Sequence, residues 1–339
     1  MNYRRVASAD LALSEIAFGC GGNAGLMVRG TPAEQESAVA RALELGVTYF
    51  DNSPDYGNCI AELNLGQALK ALRARPLVNT KVEIRAENLG DVAAHVVRSA
   101  EDSLRRIGVA CIDVFQIHNG PTGNPIKLEG KDYKQLPLEH YLGPRGAIEG
   151  LMRLKDAGKI RCAGFICRGG DGADVRQLIE TKQFAVINVP YTLLNPSAGG
   201  PLDGARFKPD YGGVIEFAGA HEVGVAVYAP LAGGFLSDEG IAGATAHAYS
   251  RAPKEGDGTQ RNRAKAAAVR FLAEQTGMSL AQVAYRFILA NSSVTTALGG
   301  FSSIAQIEEI VAVSGSGPFP ADLMARLEDV WRANFGVGD

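Results

Sequence analysis

Cysteine is scarce in this chain and unpaired in pattern. The five, Cys20, Cys59, Cys111, Cys162 and Cys167, make an odd set with no Cys-x-x-Cys spacing in 339 residues. That argues against a disulfide framework and a zinc site, and for a reducing compartment, by default the cytoplasm. An excess of one charge is missing too: 34 Lys and Arg against 37 Asp and Glu leave a formal net charge of -3. Neither nucleic acid nor an anionic membrane is therefore implied as a partner. No run approaches the roughly 20 apolar residues of a membrane span, and the opening Met1-Asn2-Tyr3-Arg4-Arg5-Val6 has no apolar signal core. His95, His140, His221 and His247 each lack a second ligand at metal spacing, so no metal is expected. A good Rossmann fingerprint is also absent. Gly19-Cys20-Gly21-Gly22-Asn23 follows a strand-like run but opens no helix with glycine at the required offsets.

What is present is the usage of a globular chain, 46% hydrophobic and 21% charged. Short apolar runs alternate with longer amphipathic ones, the signature of βαβ units and a parallel sheet. Eight strands are expected near residues 15–19, 48–51, 77–81, 112–118, 161–166, 185–189, 224–228 and 294–298. Residues 3–14 alternate around a polar turn and are expected as a hairpin on the barrel floor. Thr31-Pro32-Ala33-Glu34 supplies an N-cap, a first-turn proline and a glutamate for a capping box. A second helix is expected over 91–107, ended by Gly108. Consecutive units of this kind close into an α/β (β/α)8 TIM barrel, and since such barrels exceed the usual domain length, residues 1–339 are read as a single domain.

Polar residues fall at the ends of successive strands: Asp51, then Tyr56 just beyond it, Lys81 and His118. A parallel barrel gathers such positions at its carboxyl face, where active sites lie. An ammonium beside a phenol favours the ionised form, and a buried carboxylate would keep that ammonium charged, so Tyr56 is the candidate proton donor or acceptor. A histidine beside it would orient a substrate oxygen or share the proton. Segments 119–143 and 232–260 are too long for plain connections and are expected as lids, and the tail from Ser314 is a third long segment. Tyr133, His140 and Tyr141 in the first are expected to form a wall of the substrate pocket.

The run Gly46-Val47-Thr48-Tyr49-Phe50-Asp51-Asn52-Ser53-Pro54-Asp55-Tyr56-Gly57, followed by Ala61-Glu62-Leu63-Asn64-Leu65-Gly66, resembles the signature of the aldo-keto reductase superfamily. Lys81 and His118 fall where that family carries its lysine and histidine. The resemblance implies a barrel that binds an extended nicotinamide dinucleotide without a Rossmann domain. It further implies hydride transfer between that cofactor and a small-molecule carbonyl or alcohol (aldehyde, ketone or sugar), with Tyr56 handling the proton, Lys81 and Asp51 tuning it, and His118 aiming the carbonyl. Cofactor contacts are implied at Gly21, Gly22, Asn23, Asp51, Tyr228 (stacked on the nicotinamide), Pro230, Leu231, Gly300, Phe301, Ser302, Gln306 and Glu309. The family's Gly-x-Ser-Asn becomes Gly164-Phe165-Ile166-Cys167 here, and its glutamine becomes Asn188. Cys167 and Asn188 are thus expected at the carboxamide, with Arg168 in reach. No Lys or Arg occurs from 291 to 320, which leans the choice between NAD and NADP modestly to NAD unless Arg251, Lys254, Arg261 or Arg263 folds over. Two other readings stand beside the enzyme: a redox-sensing regulatory subunit with slow turnover, and a non-redox lyase or isomerase on the same barrel.

Overall fold

A short hairpin begins the chain, Tyr3–Val6 pairing antiparallel with Leu11–Ser14. Its inward side chains Val6, Leu11 and Leu13 are buried against Ala17, Tyr49, Val114, Cys162, Val186 and Ala226, an apolar cluster that plugs the floor of the barrel as expected. In this computed structural model the described residues are 1–124, 134–169, 172–205, 207–244, 247–251 and 257–337.

Eight parallel strands form the closed barrel. In chain order they are Ile16–Gly19, Tyr49–Asp51, Leu77–Val82, Ile112–Ile117, Ile160–Ile166, Val186–Pro190, Gly224–Tyr228 and Thr296–Gly300. Each pairs with the next, and the eighth pairs back to the first through Ala297 with Ile16 and Gly300 with Gly19. Helices cover the outside because their apolar faces match the outward residues of each strand. The helix Pro32–Glu44 has both bonds of its Thr31/Glu34 capping box. Val92–Ile107 starts on the Asp91 side chain and ends at Gly108, whose φ of 76° suits glycine.

Strand alternation divides the barrel interior into levels. The lower level is apolar, with Tyr49, Val114, Cys162 and Val186. One step toward the carboxyl face the inward positions become Asp51, Asn79, Gln116 and Asn188, all buried. The next step carries Lys81, His118 and Tyr228. Stability at the bottom and chemistry at the top thus follow from one two-residue period.

Three expectations change. The eighth strand lies two residues later than the apolar run suggested, because Gly299 and Gly300 continue main-chain pairing to Phe18 and Gly19. The described parts of segment 119–143 are structured: Gly120–Thr122 pairs with Gln135–Pro137, and Leu138–Leu142 is helical. Tyr133 lies outside the described residues. Tyr141 is buried in the core, its hydroxyl donating to the Asn119 carbonyl and its ring edge-on to Phe165, so it braces the loop from beneath and forms no pocket wall. The tail, finally, forms the helix Ala321–Arg332, whose Trp331 packs on Phe207 and Phe287 and donates to the Leu193 carbonyl at 2.9 Å.

Directly after His118 and Asn119, the chain at Gly120 passes so close to the turn after the fifth strand that a Cβ would lie 2.0 Å from the Arg168 carbonyl oxygen. Only glycine permits that approach, which holds the His118 and Arg168 turns together. Gly120→Ala is expected to cost about 1–3 kcal/mol of stability through this overlap. An unchanged urea midpoint would show that the two turns are not packed this way.

Candidate active site

Lys81 and Asp51 anchor the site. Lys81 has 0% exposure and Asp51 3%. The ammonium donates to both Asp51 carboxylate oxygens at 2.9 Å and to the Asn52 carbonyl at 2.6 Å. Its remaining reach is to the Tyr56 hydroxyl, 3.4 Å away. Asp51 also accepts from Asn79 and, at 3.4 Å, from Asn188. Gln116 completes this amide layer, donating to Asn188 at 2.8 Å and accepting from Asn79 at 3.1 Å. A buried ion pair needs such additional bonds to offset the loss of water.

Tyr56 hangs from the turn that follows the second strand, with its backbone N–H donating to the Ser53 carbonyl at 3.0 Å. The Lys81 ammonium lies 5.1 Å from the centre of its ring, and the His118 ring meets it edge-on at 6.2 Å between centroids. Burial and then the negative charge of Asp51 push the phenol well above its ordinary value of 10.0. This reverses the direction expected from Lys81 alone: the lysine charge is already neutralised by Asp51, so the phenol remains protonated at neutral pH. Burial, followed by the charges of Lys81 and Arg168, lowers His118 to about 3, so the imidazole is neutral. The four residues named from the sequence are therefore brought together, with two neutral proton-bearing rings above one ion pair.

Sequence reasoning missed Glu83 and Ser53. Glu83 Oε1 lies 3.1 Å from His118 Nδ1, and Ser53 Oγ lies 3.2 Å from both. The signal was available in Asn79, Lys81 and Glu83, which alternate onto one face of the third strand and its extension. Ligand atoms of Asp55, Glu83 and His118 gather within 4.8 Å of one another. Of these, His118 Nδ1 already faces the Glu83 carboxylate.

The residues expected to contact a cofactor divide into two groups. Gly21 sits over the Tyr56 ring, with room for ordinary contact only at 3.8 Å from an added Cβ. Gly22 and Asn23 present their carbonyls to Arg29 and to the Arg251 N–H. Tyr228 is half-buried and donates to the Cys167 carbonyl at 3.2 Å, Leu231 is partly exposed, Pro230 is buried, and Gly300 is exposed. Near Ser302 and Ser303 a cavity of about 360 Å³ is lined by Leu26, Ala33, Glu34, Ser37, His247 and Ile304. Apolar walls beside hydroxyls and an open glycine edge fit the adenosine end of a dinucleotide.

The other group faces elsewhere. The Cys167 side chain belongs to the core, where burial pushes its thiol up to about 12, so only its main chain borders the site. Phe301 is buried against Phe18 and cannot stack on a ligand. Asn188 is committed to Gln116 and Asp51 below the site. Gln306 accepts from the Ser302 N–H at 2.8 Å, and Glu309 accepts from Ser279, tying two helices together. Of the four cations, Arg251 is brought to this end: its main-chain N–H donates to the Asn23 carbonyl at 2.8 Å, while neighbouring Ser250 meets Ser302 at 2.7 Å. Arg263 packs by Gly243, and Lys254 lies outside the described residues.

A closed parallel barrel with this carboxyl-face cluster defines the class, and comparison with known proteins defines the family. The model of the aldo/keto reductase family matches residues 15–332, and the chain belongs to that family. It is 26% identical over 319 residues to an L-galactose dehydrogenase of Arabidopsis thaliana, covering 92% of this chain and 88% of that one. It is 25% identical over 351 residues to an L-glyceraldehyde 3-phosphate reductase of Escherichia coli K12, covering 97% and 92%. An aldo/keto reductase of Klebsiella pneumoniae in complex with NADP and acetate shares the fold with a TM-score of 0.66 at 20% identity, covering 96% of this chain and 94% of that one. The protein is an NAD(P)-dependent oxidoreductase enzyme of the aldo-keto reductase type. Among the described residues no helix is long and apolar enough to cross a membrane.

Lys81→Met should leave Asp51 buried without its counter-charge, and breaking a pair this deep is expected to cost about 3–5 kcal/mol. Chemical denaturation checks this. A loss below about 1 kcal/mol would mean that Asp51 is already satisfied by its amides.

Proposed function

We propose that this enzyme interconverts the carbonyl and alcohol forms of a small polyhydroxylated substrate using NADP(H), with Tyr56 as the proton donor in reduction. The observation that carries the reading is the Tyr56 hydroxyl, held 3.4 Å from a lysine whose charge is taken up by Asp51. Such a phenol keeps its proton until an alkoxide forms beside it, and an alkoxide is basic enough to take it. When bound, the cofactor supplies the hydride. The chain's own residues do the rest: Tyr56 gives its proton to the substrate oxygen, Lys81 steadies the charge left on the phenol, and the neutral His118 ring orients the substrate. Gly21 and the half-buried Tyr228 border the reacting end, whereas the cavity at Ser302 and Ser303 takes the adenosine end.

A sugar-like substrate is supported by the names of the two curated relatives, one a sugar dehydrogenase and one a reductase of a phosphorylated aldehyde. These names also speak against the regulatory-subunit and lyase readings. On cofactor choice the lean to NAD is replaced by NADP, supported by the NADP complex of a structural neighbour and by Arg251. Arg29 has its pKa lowered by burial and by the charge of Arg251, so two guanidiniums stand near one another at this end. A 2′-phosphate would relieve that repulsion.

Tyr56→Phe retains the ring but removes the proton. Turnover of aldehydes and aldoses should fall by about 10²- to 10⁴-fold with NADPH affinity little changed. Retention of wild-type turnover would remove Tyr56 from the mechanism, and no turnover by the wild type across carbonyls and polyols in both directions would remove the oxidoreductase substrate class proposed. Arg251→Ala should weaken NADPH more than NADH, by about tenfold, in a fluorescence-quenching titration. Equal loss for both cofactors would place Arg251 away from the 2′-phosphate.

A further inference from the structure

Glu83 brings a carboxylate to one ring nitrogen of His118. Its Oε1 is 3.1 Å from Nδ1, and the Ser53 hydroxyl sits 3.2 Å from each. Ser53 Oγ accepts the Asp55 N–H at 3.2 Å and donates to Glu83 Oε1 at 3.2 Å. From the other side, the Glu83 main-chain carbonyl lies 2.9 Å from His95 Nε2. The His118 side chain is 4% exposed and that of Glu83 10%, so a bond between them is little weakened by water.

We infer that Glu83 is a positioning residue that accepts the Nδ1–H of His118, fixes the ring in that tautomer, and makes Nε2 an acceptor for a substrate hydroxyl. The inference rests on the oxidoreductase reading and deepens it. A neutral imidazole carries one N–H, and the partner of one nitrogen decides what the other offers. With the proton on Nδ1, Nε2 holds a lone pair, which suits a hydroxyl beside the reacting carbon of a polyhydroxylated substrate and leaves the reacting oxygen to Tyr56. Adding one proton reverses this: a protonated Glu83 donates to Nδ1, the ring proton moves to Nε2, and the acceptor becomes a donor.

The groups facing the pair are Asp55 and Asp51, which favour positive charge on the ring, and Lys81 and Arg168, which oppose it. Arg85, with its Nη2 3.9 Å from Glu83 Oε2, joins Lys81 and Arg168 in favouring the ionised carboxylate. Burial outweighs them and raises Glu83 above the ordinary 4.5. Oxidation of an alcohol should therefore be fully present above the raised Glu83 pKa and be lost as pH falls through it.

Two measurements test this on the full chain with NADP bound. Imidazole ¹⁵N NMR, with the His118 signals assigned by their loss in His118→Asn, should show the proton on Nδ1 in the wild type at pH 7.5. A proton on Nε2 would overturn the inference without any reference to turnover, so failure of the substrate reading remains a separate result. Glu83→Gln should lower kcat for polyol or aldose oxidation by about 10- to 100-fold, remove the acidic limb of its pH profile, and leave NADPH affinity unchanged. Glu83→Asp should restore that limb in part. If Glu83→Gln keeps the wild-type limb, Glu83 only packs beside the histidine. Should that variant fail to fold, the wild-type tautomer still decides.

Discussion

An ammonium and a carboxylate with almost no contact with water sit at the centre of this barrel, and nearly everything above and below them can be understood as a response to that burial. Alone, either charge would be expelled or neutralised. Together they are retained because Lys81 finds four acceptors and Asp51 is additionally bonded by the amides of Asn79 and Asn188. The amide layer therefore has a function distinct from ligand binding. It supplies fixed dipoles where water is excluded, and Gln116 locks those dipoles to one another. Beneath it, the apolar floor closed by Val6, Leu11 and Leu13 keeps solvent from entering from the other end.

That arrangement sets the protonation of the upper rings. Because Asp51 cancels the charge of Lys81, the lysine does not make Tyr56 a strong acid, and burial keeps both the phenol and the His118 imidazole neutral. A site with neutral rings over a compensated pair carries little charge of its own. In the proposed reaction, charge that develops on a substrate oxygen meets the Tyr56 hydroxyl already in place, and no ion has to be rearranged. The site is thus better matched to a transient alkoxide than to a stably charged ligand.

The architecture was legible because strand ends and the two-residue period are strong sequence signals. Asp51, Lys81 and His118 were found at strand ends for that reason, and the hairpin floor followed from alternation. Direction of side chains was less legible wherever a motif was read as a block. Cys167, Phe301 and Tyr141 belong to motif or loop segments near the site, yet each points into the packed layer outside the strands. Glu309 shows another cause: its carboxylate is used by Ser279 of a neighbouring helix, a contact distant in sequence. Glu83 is placed by the same alternation as Lys81 but lies one residue beyond the strand Leu77–Val82, where the apolar pattern that marks a strand has ended. The eighth strand runs two residues past the apolar run because Gly299 and Gly300 pair with Phe18 and Gly19 of the first strand, a contact distant in sequence.

The two ends of the groove are built on different supports, and this has consequences for how they vary. Proton-handling groups lie on barrel strands or within a few residues of them, tied into the buried network, so changing one disturbs the charge balance of all. The end proposed for adenosine is bordered by Ser302, the turn at 22–25 and the crossing segment at Tyr249 to Arg251, where contacts are mainly single hydrogen bonds. Tyr249 even reaches back to Glu34 at the start of the first long helix, so a carboxylate and two guanidiniums share this region. Exposed charges of that kind are weakly coupled to stability. On the proposed reading, discrimination between NAD and NADP can change by substitution of surface residues while Tyr56, Lys81 and His118 stay fixed by the barrel, and the lack of basic residues from 291 to 320 is offset by Arg251 on a separate segment that folds across.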